Sequence, residues 1–197
     1  MEINAKQVKG LRDLTNAGMM DCKKALAECG GDMDKAADWL RKKGIASAAK
    51  KEGRTTSQGL VEAYIHPGAQ VGVLVEVNCE TDFVARTDDF KAMVHDIAMH
   101  IAAASPVAVA REEVNPSLVE KELEIYRAQM REQGKPENMI DKIVMGKLDK
   151  FYADVCLLEQ KFVKNQDITV GDYVKSVIGK LGENMGVKRF ARFQITH

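Results

Sequence analysis

From the N-terminus, the apolar positions keep helical spacing. Val8, Leu11 and Leu14 step by three, Cys22, Leu26 and Cys29 form a second stripe, and Ala36, Trp39 and Leu40 a third. Thr15-Asn16-Ala17-Gly18, Gly30-Gly31 and Gly44 read as the stops, and Asp32 suits the N-cap of the third helix. Three short helices are therefore expected over residues 1 to about 44. Such a unit has little core and suits docking better than an active site. The period then changes. Leu60–Ile65 and Val71–Asn78 read as a hairpin joined by the turn His66-Pro67-Gly68-Ala69-Gln70. Val71, Val73, Val75 and Val77 share one face of the second strand. On the first strand, Leu60, Glu62 and Tyr64 oppose Val61, Ala63 and Ile65, so the hairpin is partly apolar on both faces. A third strand is expected at Val187–Ile195, with Phe190 and Phe193 on opposite faces. Helices of the same chain can cover one side of this small sheet. A second copy of the chain would cover the other, which predicts a homodimer.

Helical spacing returns with Phe90, Val94, Ile97 and Ile101, a helix over about 87–104 that Thr87 caps, with Asp88 and Asp89 at its positive end. Ser105-Pro106 ends it. Residues 112–165 read as a helical hairpin, its two helices concentrated in 112–155. Val119, Leu123, Tyr126 and Met130 form one stripe, and Ile140, Val144, Leu148, Phe151 and Val155 the other. Gly134-Lys135-Pro136 is the break between them, and Gly146 a candidate kink. Thr169 with Asp172 resembles a capping box before a last helix carrying Tyr173, Val177, Ile178 and Leu181, ended by Gly182. The fold class is α+β: three N-terminal helices, then a core with a three-stranded antiparallel sheet and flanking helices.

The length, 197 residues, admits a core domain and a small module. The Thr-Thr-Ser-Gln-Gly run at 55–59 places the boundary, giving a helical domain with its linker at 1–54 and a core at 55–197. Lys plus Arg (29) balance Asp plus Glu (29), whereas nucleic-acid binders usually carry a basic excess, so no direct nucleic-acid partner is expected. The basic stretch 41–54 (Arg41, Lys42, Lys43, Lys50, Lys51, Arg54) has two readings, an RNA-binding arm or a solvated helix end. The second is favoured because no aromatics interleave the charges. Cys22, Cys29, Cys79 and Cys156 match neither CxxC nor a zinc pattern and read as reduced thiols of a cytosolic protein. No apolar run reaches the ~18 residues of a membrane span, and MEINAKQVKG lacks a signal-peptide apolar region, so no membrane partner and a cytoplasmic location are expected.

Catalytic motifs are missing. There is no GxGxxG, and Gly146-Lys147 lacks the glycine and hydroxyl residue of a phosphate loop. His95 and His100 are five apart and do not share a helix face as HExxH histidines do, and His66 lies in a turn. No GxSxG is present. The reading is therefore no catalytic residues, no metal ligands and no cofactor.

Two segments go further: Leu11-Arg12-Asp13-Leu14-Thr15-Asn16-Ala17-Gly18-Met19-Met20-Asp21-Cys22-Lys23-Lys24-Ala25-Leu26, and Glu80-Thr81-Asp82-Phe83-Val84-Ala85-Arg86. Together they closely resemble the bacterial elongation factor Ts family, guanine nucleotide exchange factors of elongation factor Tu. Trp39–Gly53, Leu157-Leu158-Glu159-Gln160 and Lys188-Arg189-Phe190 fit the same family. The resemblance implies a ubiquitin-associated-like three-helix N-terminal domain that docks on the partner GTPase, here through Arg12, Met19 and Met20. It assigns Arg86 to partner binding, and Thr81, Asp82, Phe83 and Val84 to the segment that disturbs the partner's magnesium site. Only one sheet unit is visible where longer members have two and an inserted coiled coil. That looks like a short form in which two chains supply the two units. Spacing alone leaves the two methionines open between core filling and docking. It leaves Phe83 open too: seven residues before Phe90, the ring could extend the core stripe. The resemblance implies an exposed ring instead. The alternative function is a ubiquitin-associated-like binding scaffold without exchange activity, which accounts for residues 1–44 but gives no reason for the TDFVAR segment.

Overall fold

The computed structural model describes residues 3–15 and 17–195. Asn16, in the first expected stop, lies outside them. By internal contacts the described residues form two units: those within 1–60, 77–93 and 172–186 make the first, and those within 61–76, 94–171 and 187–197 the second.

The first unit opens with helices α1 (Ala5–Thr15), α2 (Met19–Glu28) and α3 (Met33–Ala49). Asn4 and Gln7 start α1 by exchanging side-chain-to-backbone hydrogen bonds of 2.8 and 3.1 Å. Asp32 caps α3, its carboxylate accepting from the Lys35 amide at 3.0 Å. Val8, Leu11, Cys22, Ala25, Leu26, Ala36 and Leu40 bury one shared cluster. Leu14 departs from the expected stripe and is exposed. Steps of three fall about 60° short of a full turn, so the third member of the series has rotated off the core face.

Gly44 does not close α3, which continues to Ala49. The left-handed glycine beyond it is Gly53 (φ 85°). Gly44 instead permits a close crossing with helix α8 (Val170–Leu181). A Cβ on Gly179 would sit 2.9 Å from the Gly44 Cα, a separation that only paired glycines allow. The Lys51 ammonium donates to the Ile178 carbonyl at 3.3 Å beside this crossing. Gly182 (φ 83°) ends α8 as expected.

Strands β1 (Gln58–Ile65), β2 (Val71–Cys79) and β5 (Met185–Gln194) form the expected three-stranded antiparallel sheet in the order β1-β2-β5, and contribute residues to both units. In the second unit Val73 and Val75 are buried while Leu74 between them is exposed, the alternation of a half-covered sheet. Arg192 donates to the Ala102 carbonyl of helix α5 (Asp88–Ala104) at 3.0 Å on the covered side. The opposite side shows Val61, Ile65, Leu74, Phe193 and Ile195 exposed, with Arg189 paired to Glu76 at 2.7 Å. Helix α5 follows its predicted stripe, with Phe90, Val94, Ile97 and Ile101 fully buried and the Thr87 hydroxyl accepting from the Phe90 amide at 3.2 Å.

Helices α6 (Pro116–Glu132) and α7 (Glu137–Val155) are the expected helical pair, packed through Met130, Ile140 and Val144. Proline opens α6 at its first turn, and α7 runs without interruption through Gly146. The helical reading of 112–165 extends too far. Beyond Val155 the chain forms a small antiparallel ribbon, β3 (Lys161–Phe162) with β4 (Asn165–Thr169). A strand of two residues has no period to detect. The loop before α6 is pinned by Arg111, whose guanidinium meets Glu159 at 2.5 and 2.6 Å and Asp149 at 2.7 Å, and lies 4.7 Å from the Tyr152 ring centre.

Candidate functional site

Strand β2 ends at Cys79 and delivers Thr81 in extended conformation (φ −125°, ψ 156°), as the N-cap of the four-residue helix α4 (Asp82–Ala85). The Thr81 hydroxyl accepts from the Val84 amide at 3.4 Å. A single helical turn does not hold itself in water, so what surrounds it matters. Val84 points inward and is buried. The Glu183 carboxylate accepts from both the Thr81 amide (3.0 Å) and the Thr81 hydroxyl (2.6 Å). Reciprocally, the Glu80 carboxylate accepts from the Asn184 amide at 2.5 Å, and the Asn184 side chain donates to the Arg54 carbonyl at 2.9 Å. The buried Cys79 thiol donates to the Thr81 carbonyl at 3.2 Å, and burial raises its pKa, so it stays a neutral thiol.

On this braced turn the Phe83 ring is 78% exposed. The seven-residue spacing to Phe90 does not carry it into the core because the helix is not continuous. α4 ends at Ala85, the Thr87 amide and hydroxyl both turn back to the Val84 carbonyl (3.0 and 2.8 Å), and α5 starts afresh at Asp88. Asp82 and Arg86 pair along the outer side at 2.8 Å, both with much of their side chains in solvent. Thr81, Asp82, Phe83, Val84 and Arg86 are thus gathered on one turn: one exposed ring, one outer ion pair, one cap and one buried anchor.

Arg12, Met19 and Met20 lie on the N-terminal helices. Met19 is 50% and Met20 76% exposed, so neither fills the core. Arg12 and Met19 line a groove of about 640 Å³ between α1 and α2, with Ile3, Val8, Lys9 and Lys23. Its lining mixes apolar side chains with three cations, Lys9, Arg12 and Lys23, and one acid, Asp13.

The cations of 41–54 are largely engaged within the chain. Arg41 pairs with Asp38 (3.2 Å), Lys43 with Asp21, and Arg54 with Glu80 (3.5 Å). All four cysteines are free thiols. Among the described residues no group of three His, Cys, Asp or Glu side chains could hold a metal ion. Two positions escaped sequence reasoning. His100 is fully buried, its Nε2 meeting the Gln160 side-chain oxygen at 2.9 Å while its Nδ1 accepts from the Val163 amide at 3.2 Å. Glu183 reads as an ordinary surface acid after a helix. Its one signal is indirect: the cap Thr81 has Val84, not Glu or Gln, three residues on, so no local side chain can bond its amide.

The sequence model of one family, described as Elongation factor TS, matches residues 45–197. The chain is 61% identical over 193 residues to Elongation factor Ts of Geobacter sulfurreducens, covering 98% of this chain and 89% of that protein. It is 58% identical over 193 residues to Elongation factor Ts of Desulfosudis oleivorans, covering 98% of both. It is 62% identical over 195 residues to the Koribacter versatilis protein of the same name, covering 99% and 89%.

Proposed function

Because the chain belongs to the elongation factor Ts family and is thereby a translation elongation factor, we propose that it binds elongation factor Tu carrying GDP and promotes GDP release by disturbing the partner's magnesium site. The observation that carries this reading is the Phe83 ring, 78% exposed on a turn held by Glu183, Thr87 and the buried Val84. A fold that leaves a large apolar ring in water and braces its backbone is prepared to bury that ring elsewhere.

A GTPase holds its nucleotide through a phosphate-cradling loop and a magnesium ion. A ring wedged beside that site shifts the elements that place the magnesium ligands, and the phosphates lose charge compensation. Asp82 and Arg86 flank the ring and supply polar contacts. Thr81 and Val84 hold the turn from within the chain. The first three helices, within 1–54, act as the docking module through Arg12, Met19 and Met20. The factor binds the empty GTPase more tightly than the loaded one, and linkage weakens the nucleotide by the same factor. No covalent step is involved, so the chain needs no catalytic residue or cofactor of its own. The setting is the cytoplasm.

Burying a Phe contributes about 1.5–3 kcal/mol, so Phe83→Ala should slow stimulated GDP release roughly 10- to 150-fold while unfolding like the parent. Release of fluorescent GDP from elongation factor Tu measures this. A variant that releases GDP as fast as the parent would refute the wedge. A second copy of the chain is the proposed cover for the exposed side of the sheet, where five large apolar side chains face water.

A further inference from the structure

The capping arrangement at Thr81 is split between distant parts of the sequence. In the usual capping box, the residue three after the cap reaches back to the cap amide. Here that residue is Val84, which is buried and anchors the turn. The acceptor comes instead from Glu183, 102 positions away, which binds both the Thr81 amide and its hydroxyl. The Thr81 carbonyl is also occupied, by the Cys79 thiol at 3.2 Å and the Ala85 amide at 3.3 Å. Glu183 therefore completes the restraint of a residue whose other polar atoms are already held. Its own location is fixed next door, where Asn184 binds Glu80 and the Arg54 carbonyl. Its negative charge makes both hydrogen bonds charge-assisted, which strengthens them.

We infer that Glu183 is a positioning residue for nucleotide exchange: through Thr81 it holds the one-turn helix in the orientation that presents Phe83 to the partner GTPase. This rests on the wedge reading proposed above. A ring pressed against another protein transmits force to its backbone. A four-residue helix resists only as well as its brace, and a displacement of about 1 Å at a working contact can cost about 100-fold in rate.

The test uses the full chain and partner GTPase loaded with fluorescent GDP, and reads the release rate at saturating factor. Glu183→Ala removes both acceptors. Glu183→Gln keeps an acceptor for the Thr81 amide but loses the charge. The plateau rate is expected to fall about tenfold or more for Glu183→Ala and less for Glu183→Gln, with the half-saturating concentration little changed. Simple loss of folded protein would do the reverse, raising the concentration needed and leaving the plateau intact. In the Phe83→Ala background, Glu183→Ala should slow release no further. A parental plateau for Glu183→Ala, or a fully additive loss in the double variant, would overturn the inference while Phe83→Ala alone stays slow. If Phe83→Ala itself reaches the parental plateau, the wedge reading falls first and this inference with it.

Discussion

Phe83 and Val84 are neighbours with opposite environments, one 78% exposed and the other 9%. A single helical step rotates them about 100° apart, and Thr81 and Thr87 set which of them faces inward. Another residue with a defined chemical state is His100. Its Nδ1 accepts from the Val163 amide, so the proton sits on Nε2 and is donated to Gln160, whose amide in turn donates to the Asp154 carbonyl at 2.7 Å. That ring is neutral, and burial lowers its pKa below the ordinary 6.5. The folded chain thus resists a proton that the unfolded chain accepts. Its contribution to stability is complete above about pH 6.5 and is lost as pH falls from there toward the native value. Urea unfolding between pH 7.5 and 5.5 should show stability falling by up to about 1.4 kcal/mol per pH unit below 6.5 from this group. His100→Gln should be less stable at pH 7.5 yet show a flatter slope. An unchanged slope would mean that the ring already protonates in place.

Glycines on two helices show how an element's neighbours decide what a residue does. Gly179 in α8 meets Gly44, with an added Cβ falling 2.9 Å from backbone, whereas Gly146 in α7 has open space around it. Gly179→Ala should therefore destabilise, its overpacking of about 1–3 kcal/mol exceeding the roughly 1 kcal/mol gained in helix propensity. Gly146→Ala has only the gain and should stabilise by up to about 1 kcal/mol. Thermal unfolding of the two variants separates them, and equal effects would contradict the close crossing. This pair also shows how far the sequence could be read. Strong periods, such as Phe90 to Ile101 and the alternating valines of β2, predicted their elements and buried faces, because period reports burial directly. Gly44 did not, since a glycine that ends a helix and one that admits a second helix look alike in a single chain. In the β3–β4 ribbon, β3 was too short to carry a period and β4, NQDIT, has a single large apolar residue and so no alternation to read. At the candidate site, the TDFV turn and its exposed ring were reached through resemblance, while Glu183 stayed hidden because its partner lies 102 positions away.

For the whole molecule, the open question is what faces the uncovered side of the sheet. In the second unit, Val61, Ile65, Leu74, Phe193 and Ile195 are each between 48% and 71% exposed. Their positions follow strand alternation: Leu74 lies between buried Val73 and Val75, and Phe193 shares the parity of Arg189, which pairs with Glu76 on that side. The exposure is therefore a property of one whole face, not of scattered side chains. An apolar face of this kind is seldom left in water. A second copy is the cover that asks for no other partner, since an isologous contact brings each patch against itself. Sizing at tens of micromolar should then give a species of about twice the 21.8 kDa chain. Phe193→Asp, which replaces the most exposed apolar side chain of that face with a charge, should run as a monomer with its helix content kept. Because Phe83 lies outside this face, the monomeric variant should still release GDP from the partner in proportion to its concentration. A parent chain that runs at 21.8 kDa throughout this range would leave the sheet face to some other partner.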